Sequence, residues 1–247
     1  MQFIKYSSLE VVIGAVLYQC FLNHVYFNAF PQNVEILALS LVIWLIYLLD
    51  RQIDNLFQPA EDARHRYYFT NRKFMRLLIG CIFLFITFLL PFLPYRVLLA
   101  GFCLVGCIVL YAYSWHKRLL RSEKELVTAV LYGLGVSLVV WVKEPRSILF
   151  VLPLILLAYQ NLCYLNLLEE ESVFYRNRRR KTEWIVMGLL GGLYVATQEL
   201  FIILPFLVTF GLTILFSLSK LPEEKRNWAD LAFWSPLIYF LHGFFSK

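Results

Sequence analysis

Nine apolar stretches, each about the length that a bilayer demands of a helix, run one after another through the chain, at approximately residues 9–29, 34–50, 74–93, 97–115, 126–143, 147–168, 183–198, 200–219 and 228–245. Crossing the hydrocarbon core takes roughly 20 residues of helix, with about 17–25 tolerated. Hydrophobic residues are 60% of the 247 and charged residues only 16%, with mean hydropathy +0.65, more apolar surface than a water-soluble core absorbs. The pattern predicts an all-α polytopic membrane protein with nine transmembrane helices. Residues 1–247 are expected to form a single integral-membrane domain, with no length left for a separate soluble one.

Orientation follows from the basic residues. All of the 23 Lys and Arg except Arg96, Lys143, Arg146 and Lys247 fall at the N-terminus or in the loops after spans two, four, six and eight. Basic residues concentrate on the cytoplasmic side, so the N-terminus is expected inside and the C-terminus outside. The first span lacks a small-residue cleavage site and is followed by the short turn Phe30-Pro31-Gln32-Asn33, so it is expected to remain as a helix. The formal net charge of +6 reads first as this topology signal. Anionic lipid headgroups or a phosphorylated substrate come second, and nucleic acid is not expected.

Cys20, Cys81, Cys103, Cys107 and Cys163 all fall inside spans without metal-like pairing to His, so they read as packing residues. The chemistry is expected at the long polar cytoplasmic loops. Where span two ends, Asp50-Arg51-Gln52-Ile53-Asp54 places two carboxylates four residues apart, on one helical face about 6 Å apart along the axis. Acids at such a boundary are costly and often bind an ion, a proton or a substrate. Two carboxylates suit Mg²⁺, which takes its remaining ligands from water and phosphate oxygens; a solvated helix end is the plainer alternative.

Span six ends in a second oxygen cluster, where Asn166 and Glu170 repeat the four-residue spacing beside Glu169. Gln160 and Asn161 lie deeper, where an unpaired amide is expensive, and are expected to bond a neighbouring helix or a ligand. The run Arg176 to Lys181 reads as a topology determinant or as a diphosphate-neutralising patch. After span four, Tyr113-Ser114-Trp115-His116-Lys117-Arg118 offers Lys and Arg to phosphate oxygens. Glu10 and Asp230 are explained by snorkelling to the interface, and His24 and His242 lie toward the outer side, away from these clusters.

Nine spans, an inside N-terminus, acidic helix ends after spans two and six, and Tyr-Ser-x-x-Lys-Arg after span four together resemble the UbiA superfamily of intramembrane prenyltransferases. The likeness in layout covers essentially the whole chain. That family's span-two signature reads Asn-Asp-x-x-Asp-x-x-x-Asp, and its last two aspartates fall on Asp50 and Asp54, in the form Asp-Arg-x-Ile-Asp. Arg66 looks like the arginine that follows, Lys117 and Arg118 like the Lys-Arg pair, and Glu125 to Gly135 like the start of the fifth helix. The leading Asn-Asp falls on Ile46 and Tyr47, and the second signature, usually Asp-x-x-x-Asp, is Asn166-Leu167-Leu168-Glu169-Glu170, so the resemblance is to a divergent member.

The resemblance implies an isoprenyl diphosphate held on Mg²⁺ between two oxygen clusters, with its tail in a lipid-facing tunnel and a lipophilic, aromatic or quinone-precursor acceptor attacking the allylic cation. On this reading Asp50, Asp54 and Lys117 are catalytic, and Arg51, Arg66, Lys117 and Arg118 bind the diphosphate. Asp50, Asp54, Asn166 and Glu170 are the metal ligands. The expected location is the inner membrane of a bacterium, with the site facing the cytoplasm. A terpene cyclase of the same fold, or a non-catalytic protein that keeps the fold, remains as an alternative; a transporter is disfavoured because the charges cluster at one face. The sequence carries no signal for oligomeric state.

Overall fold

The computed structural model describes residues 7–57, 63–116, 124–169, 173–218 and 230–245, and every regular element among them is helical. In chain order these are α1 Leu9–Phe27, α2 Asn33–Phe57, α3 Ala63–Thr70, α4 Arg72–Leu89, α5 Tyr95–His116, α6 Lys124–Val136, α7 Leu138–Lys143, α8 Ile148–Glu169, α9 Val173–Thr197, α10 Leu200–Leu218 and α11 Pro236–Phe245. Short 3₁₀ turns follow α4 and α7 and precede α11. By length and composition, four segments among the described residues are able to cross a membrane: Leu9–Phe27, Asn33–Ile53, Arg72–Phe92 and Pro145–Leu167. The segments Tyr95–Tyr111 of α5 and Leu200–Phe216 of α10 are also apolar. The protein is an all-helical chain with helices built for a bilayer.

Local chemistry sets the ends and breaks. α1 stops where Asn28 adopts a left-handed conformation, φ 48°, and its N–H bonds the His24 carbonyl at 2.8 Å, since Asn tolerates that region better than most residues. At the start of α2 the Glu35 carboxylate accepts the Gln32 N–H at 2.9 Å, satisfying a donor that the helix leaves open. The stretch 126–143, expected as one span, is two helices. Ser137 turns its hydroxyl back to the Gly133 carbonyl at 2.6 Å, and α7 restarts with Trp141 N–H on the Ser137 carbonyl. A serine bonded back onto its own helix competes with the regular ladder and bends it.

The core lies where α8 packs between α6 and α9, with α1, α10 and the turn before α11 closing the other side. Gly133 is what lets α6 approach α8: a Cβ there would overlap Cγ1 of Ile155 and lie 3.4 Å from its Cα. Gly14 plays the same part for α1, where a Cβ would stand 2.9 Å from that of Phe233. One fully paired polar knot crosses this core. The Tyr18 hydroxyl on α1 lies 2.7 Å from Thr209 Oγ1 on α10, which is 2.6 Å from Ser235 Oγ at the start of α11. Hydrogen bonds of this kind hold helices together in lipid, where burial alone gives little drive. The outward faces of α4 and α5 are apolar, with Leu84 and Phe88 of α4 and Phe102 and Leu110 of α5 exposed.

Candidate functional site

The acidic turn lies within one continuous helix. α2 runs unbroken from Asn33 to Phe57, and its segment Asn33–Ile53 is long and apolar enough to cross a membrane. Asp50 and the backbone of Asp54 lie one turn apart toward the C-terminal end of that helix; the side chain of Asp54 lies outside the described residues. Asp50 is exposed, whereas Arg51, about 100° further round the helix, is 5% exposed and turns into the packed interior. Arg66 on α3 is exposed. Lys117, Arg118 and Glu170 lie outside the described residues.

On α8, Asn166 donates from Nδ2 to Glu125 Oε1 of α6 at 2.7 Å. Sequence reasoning passed over Glu125 as a site residue. It nonetheless acts electrostatically on Tyr111 of α5 and Cys163 of α8 as well, so one carboxylate on α6 reaches groups on two other helices. Its sequence signal is an acid in the first turn of an apolar helix, which reads equally well as favourable charge at a helix N-terminus. The basic run is helical, since α9 begins at Val173. Within it the residues differ: Arg178 meets the Tyr159 hydroxyl, itself a neighbour of Cys163, while Arg179 pairs with Glu183 one turn on at 2.9 Å.

About five residues deeper along α8, the two amides part ways. Asn161 donates to Asp230 Oδ1 over 3.5 Å, and its own Oδ1 meets no partner among the described residues. Gln160 is fully buried with neither Nε2 nor Oε1 bonded among them. Asp230, expected to snorkel to the interface, is held by α8 and acts on Tyr132 of α6, which also senses Tyr47 and Tyr18. The last helix itself packs against α1 and α10.

The opposite end carries one charged contact that the sequence reading missed. Glu35, 2% exposed, holds Lys143 Nζ at 3.1 Å, with Lys143 also over the Phe27 ring at 5.9 Å. His24 bonds the Tyr239 hydroxyl at 3.1 Å and His242 stacks on Phe201, so both imidazoles serve helix packing. All five cysteines are free thiols.

Among the described residues no three His, Cys, Asp or Glu side chains gather as a ready-made metal cage. The donor types still fit Mg²⁺, which takes only one or two carboxylates from a protein. Asp50 supplies an exposed carboxylate, and the Asn166–Glu125 contact concentrates hard oxygens where α6 and α8 meet. Comparison with protein-family models, curated proteins and solved structures finds no match to this chain.

Proposed function

We propose that the protein is an intramembrane prenyltransferase that moves an isoprenyl group from its diphosphate to a lipophilic acceptor. The observation that carries the reading is the course of α2: one unbroken helix of membrane length, Asn33–Phe57, with Asp50 and Asp54 one turn apart toward its C-terminal end. A diphosphate headgroup would sit at that end while its apolar tail lies among the helices. Asp50 and Asp54 would hold Mg²⁺, which when bound neutralises charge on the departing diphosphate. Arg66, Lys117 and Arg118 orient the phosphate oxygens. The allylic C–O bond breaks, both electrons leave with the diphosphate, and the acceptor supplies the pair for the new bond to carbon and gives up a proton. Glu125 with Asn166 takes the place, on α6 and α8, of the second acidic cluster, and Glu170 is one turn beyond Asn166 in sequence.

The same reading counts nine spans: α6 with α7 makes one broken span, α9 one whose first turns carry the basic run, and 228–245 the last. It places the N-terminus and the site in the cytoplasm of a bacterium. The test is purified full-length protein with labelled isoprenyl diphosphates of several lengths, with and without Mg²⁺, followed for diphosphate release and lipid products. Asp50→Ala and Asp54→Ala should each abolish Mg²⁺-dependent release while the protein still folds. Release that survives both changes rejects the assignment, and a product formed with no acceptor present points to cyclisation.

A further inference from the structure

α4 packs chiefly on α2, and its two sides differ completely. Met75, Ile82 and Leu89 make its buried stripe, with Met75 and Ile82 closing on Leu48 of α2 and Tyr68 of α3. At about 100° per residue, Lys73, Arg76, Leu77, Gly80 and Leu84 all fall on the opposite side, and every one of them is exposed. Arg72 lies on the flank of that face, over the exposed ring of Phe69 of α3 at 5.8 Å. The charge here is of one sign. Residues 63–122 contain no Asp or Glu, and Arg72, Lys73 and Arg76 meet no carboxylate among the described residues. These three cations occupy the first turns of Arg72–Phe92, a segment long and apolar enough to cross a membrane.

We propose that this outer face of α4 binds one anionic phospholipid, its phosphate on Arg72, Lys73 and Arg76 and an acyl chain along Leu77, Gly80 and Leu84. A phosphodiester supplies the negative charge that the face lacks, and Arg and Lys both donate to its oxygens. A zwitterionic lipid brings its own cation and offers the three basic groups no net charge. The shape lies on the same side of the helix. A Cβ at Gly80 would meet nothing within 4 Å, so the backbone there forms a recess between the exposed side chains of Leu77 and Leu84. From Lys73 to Leu84 the helix rises about 16 Å, close to one leaflet of a hydrocarbon core roughly 30 Å thick. A second copy of the chain is a poorer occupant: subunits related by an axis along the membrane normal would set Lys73 and Arg76 against their own counterparts, like charge on like. Asp50 and Asp54 lie on α2, so the lipid site does not rest on prenyl transfer.

The experiment places full-length protein in phosphatidylcholine nanodiscs with a phosphatidylglycerol whose acyl chain carries a diazirine, and maps the adducts by peptide mass spectrometry. Adducts are expected on α4 between Leu77 and Leu84. Unlabelled phosphatidylglycerol should displace the probe at least about tenfold better than phosphatidylcholine, which has no net charge, or glycerol phosphate, which has no chain. Lys73→Gln with Arg76→Gln should lower labelling at least about tenfold, since each cation near the surface is worth about fivefold. The thermal midpoint should not move, because both side chains are exposed. Arg180→Gln with Lys181→Gln, also exposed and on α9, removes the same charge and should leave α4 labelling as it was. Gly80→Leu keeps every charge, fills the recess and should abolish the adducts at Leu84. Equal labelling of α4 by a phosphatidylcholine probe, adducts elsewhere, or an equal fall in both glutamine pairs overturns the proposal. A Gly80→Leu protein that labels like the parent, or cross-links between the α4 helices of two copies, does the same.

Discussion

Glu35 shows what one residue must assemble to keep a charge inside a helical bundle. Its carboxylate accepts the Gln32 N–H at the start of α2 and Lys143 Nζ from the end of α7. Lys143→Met removes the ammonium and leaves a carboxylate of 0% side-chain exposure with one neutral donor. The expected loss is about 2–3 kcal/mol, less than for a pair dry on both sides because the Lys143 side chain is 38% exposed. Glu35→Gln combined with Lys143→Met should recover most of it, since an amide keeps the cap and carries no charge. Thermal unfolding of the four proteins in one detergent checks this; a double variant no better than Lys143→Met refutes the ion-pair account. Sequence pattern alone displayed the acidic turn at Asp50 because both acids lie within five residues. It did not reveal Glu35 with Lys143, or Glu125 with Asn166, whose partners are 108 and 41 residues apart in the chain.

At the scale of elements, hydropathy marks where helices run and says little about where they break or touch. Apolar content located α1, α4, α5, α8 and α10 within a few residues, because lipid-length apolar runs admit little else, whereas α2 runs seven residues past the expected 34–50 to Phe57. The break at Ser137 is invisible to it, since a serine hydroxyl inside an apolar run changes the local average slightly and the backbone path considerably. Contact is likewise decided by single atoms. Gly133→Ala should push α6 from α8 and cost about 1–3 kcal/mol by overpacking, because the new methyl would overlap Ile155. Gly191→Ala on α9, with nothing within 4 Å of the added Cβ, should be neutral or gain up to about 1 kcal/mol from helix propensity. Thermal midpoints of both variants decide the matter: equal effects would mean that Gly133 is not the point of closest approach.

For the whole molecule, charge distribution and packing make one connected claim about sidedness. On the nine-span reading, Asp50, Asn166, Glu125 and the run from Arg176 all lie at loops after even-numbered spans, whereas Glu35 and Lys143 lie at the other end. The ion pair joining the start of α2 to the end of α7 requires those two termini on one side of the membrane. Basic residues are retained on the cytoplasmic side, so the face with all but four of the Lys and Arg is expected to be cytoplasmic and the Glu35–Lys143 face external. Single cysteines at Asn71, between α3 and α4, and at Gln32, between α1 and α2, test this in a background lacking Cys20, Cys81, Cys103, Cys107 and Cys163. A membrane-impermeant maleimide added to intact cells should label the Gln32 position and reach Asn71 only after the membrane is opened. Labelling of both from outside would mean that α2 fails to cross, which removes the nine-span layout and with it the cytoplasmic placement of Asp50 and Asp54. Reversed labelling keeps the bundle but turns the carboxylate edge outward, away from any diphosphate made in the cytoplasm.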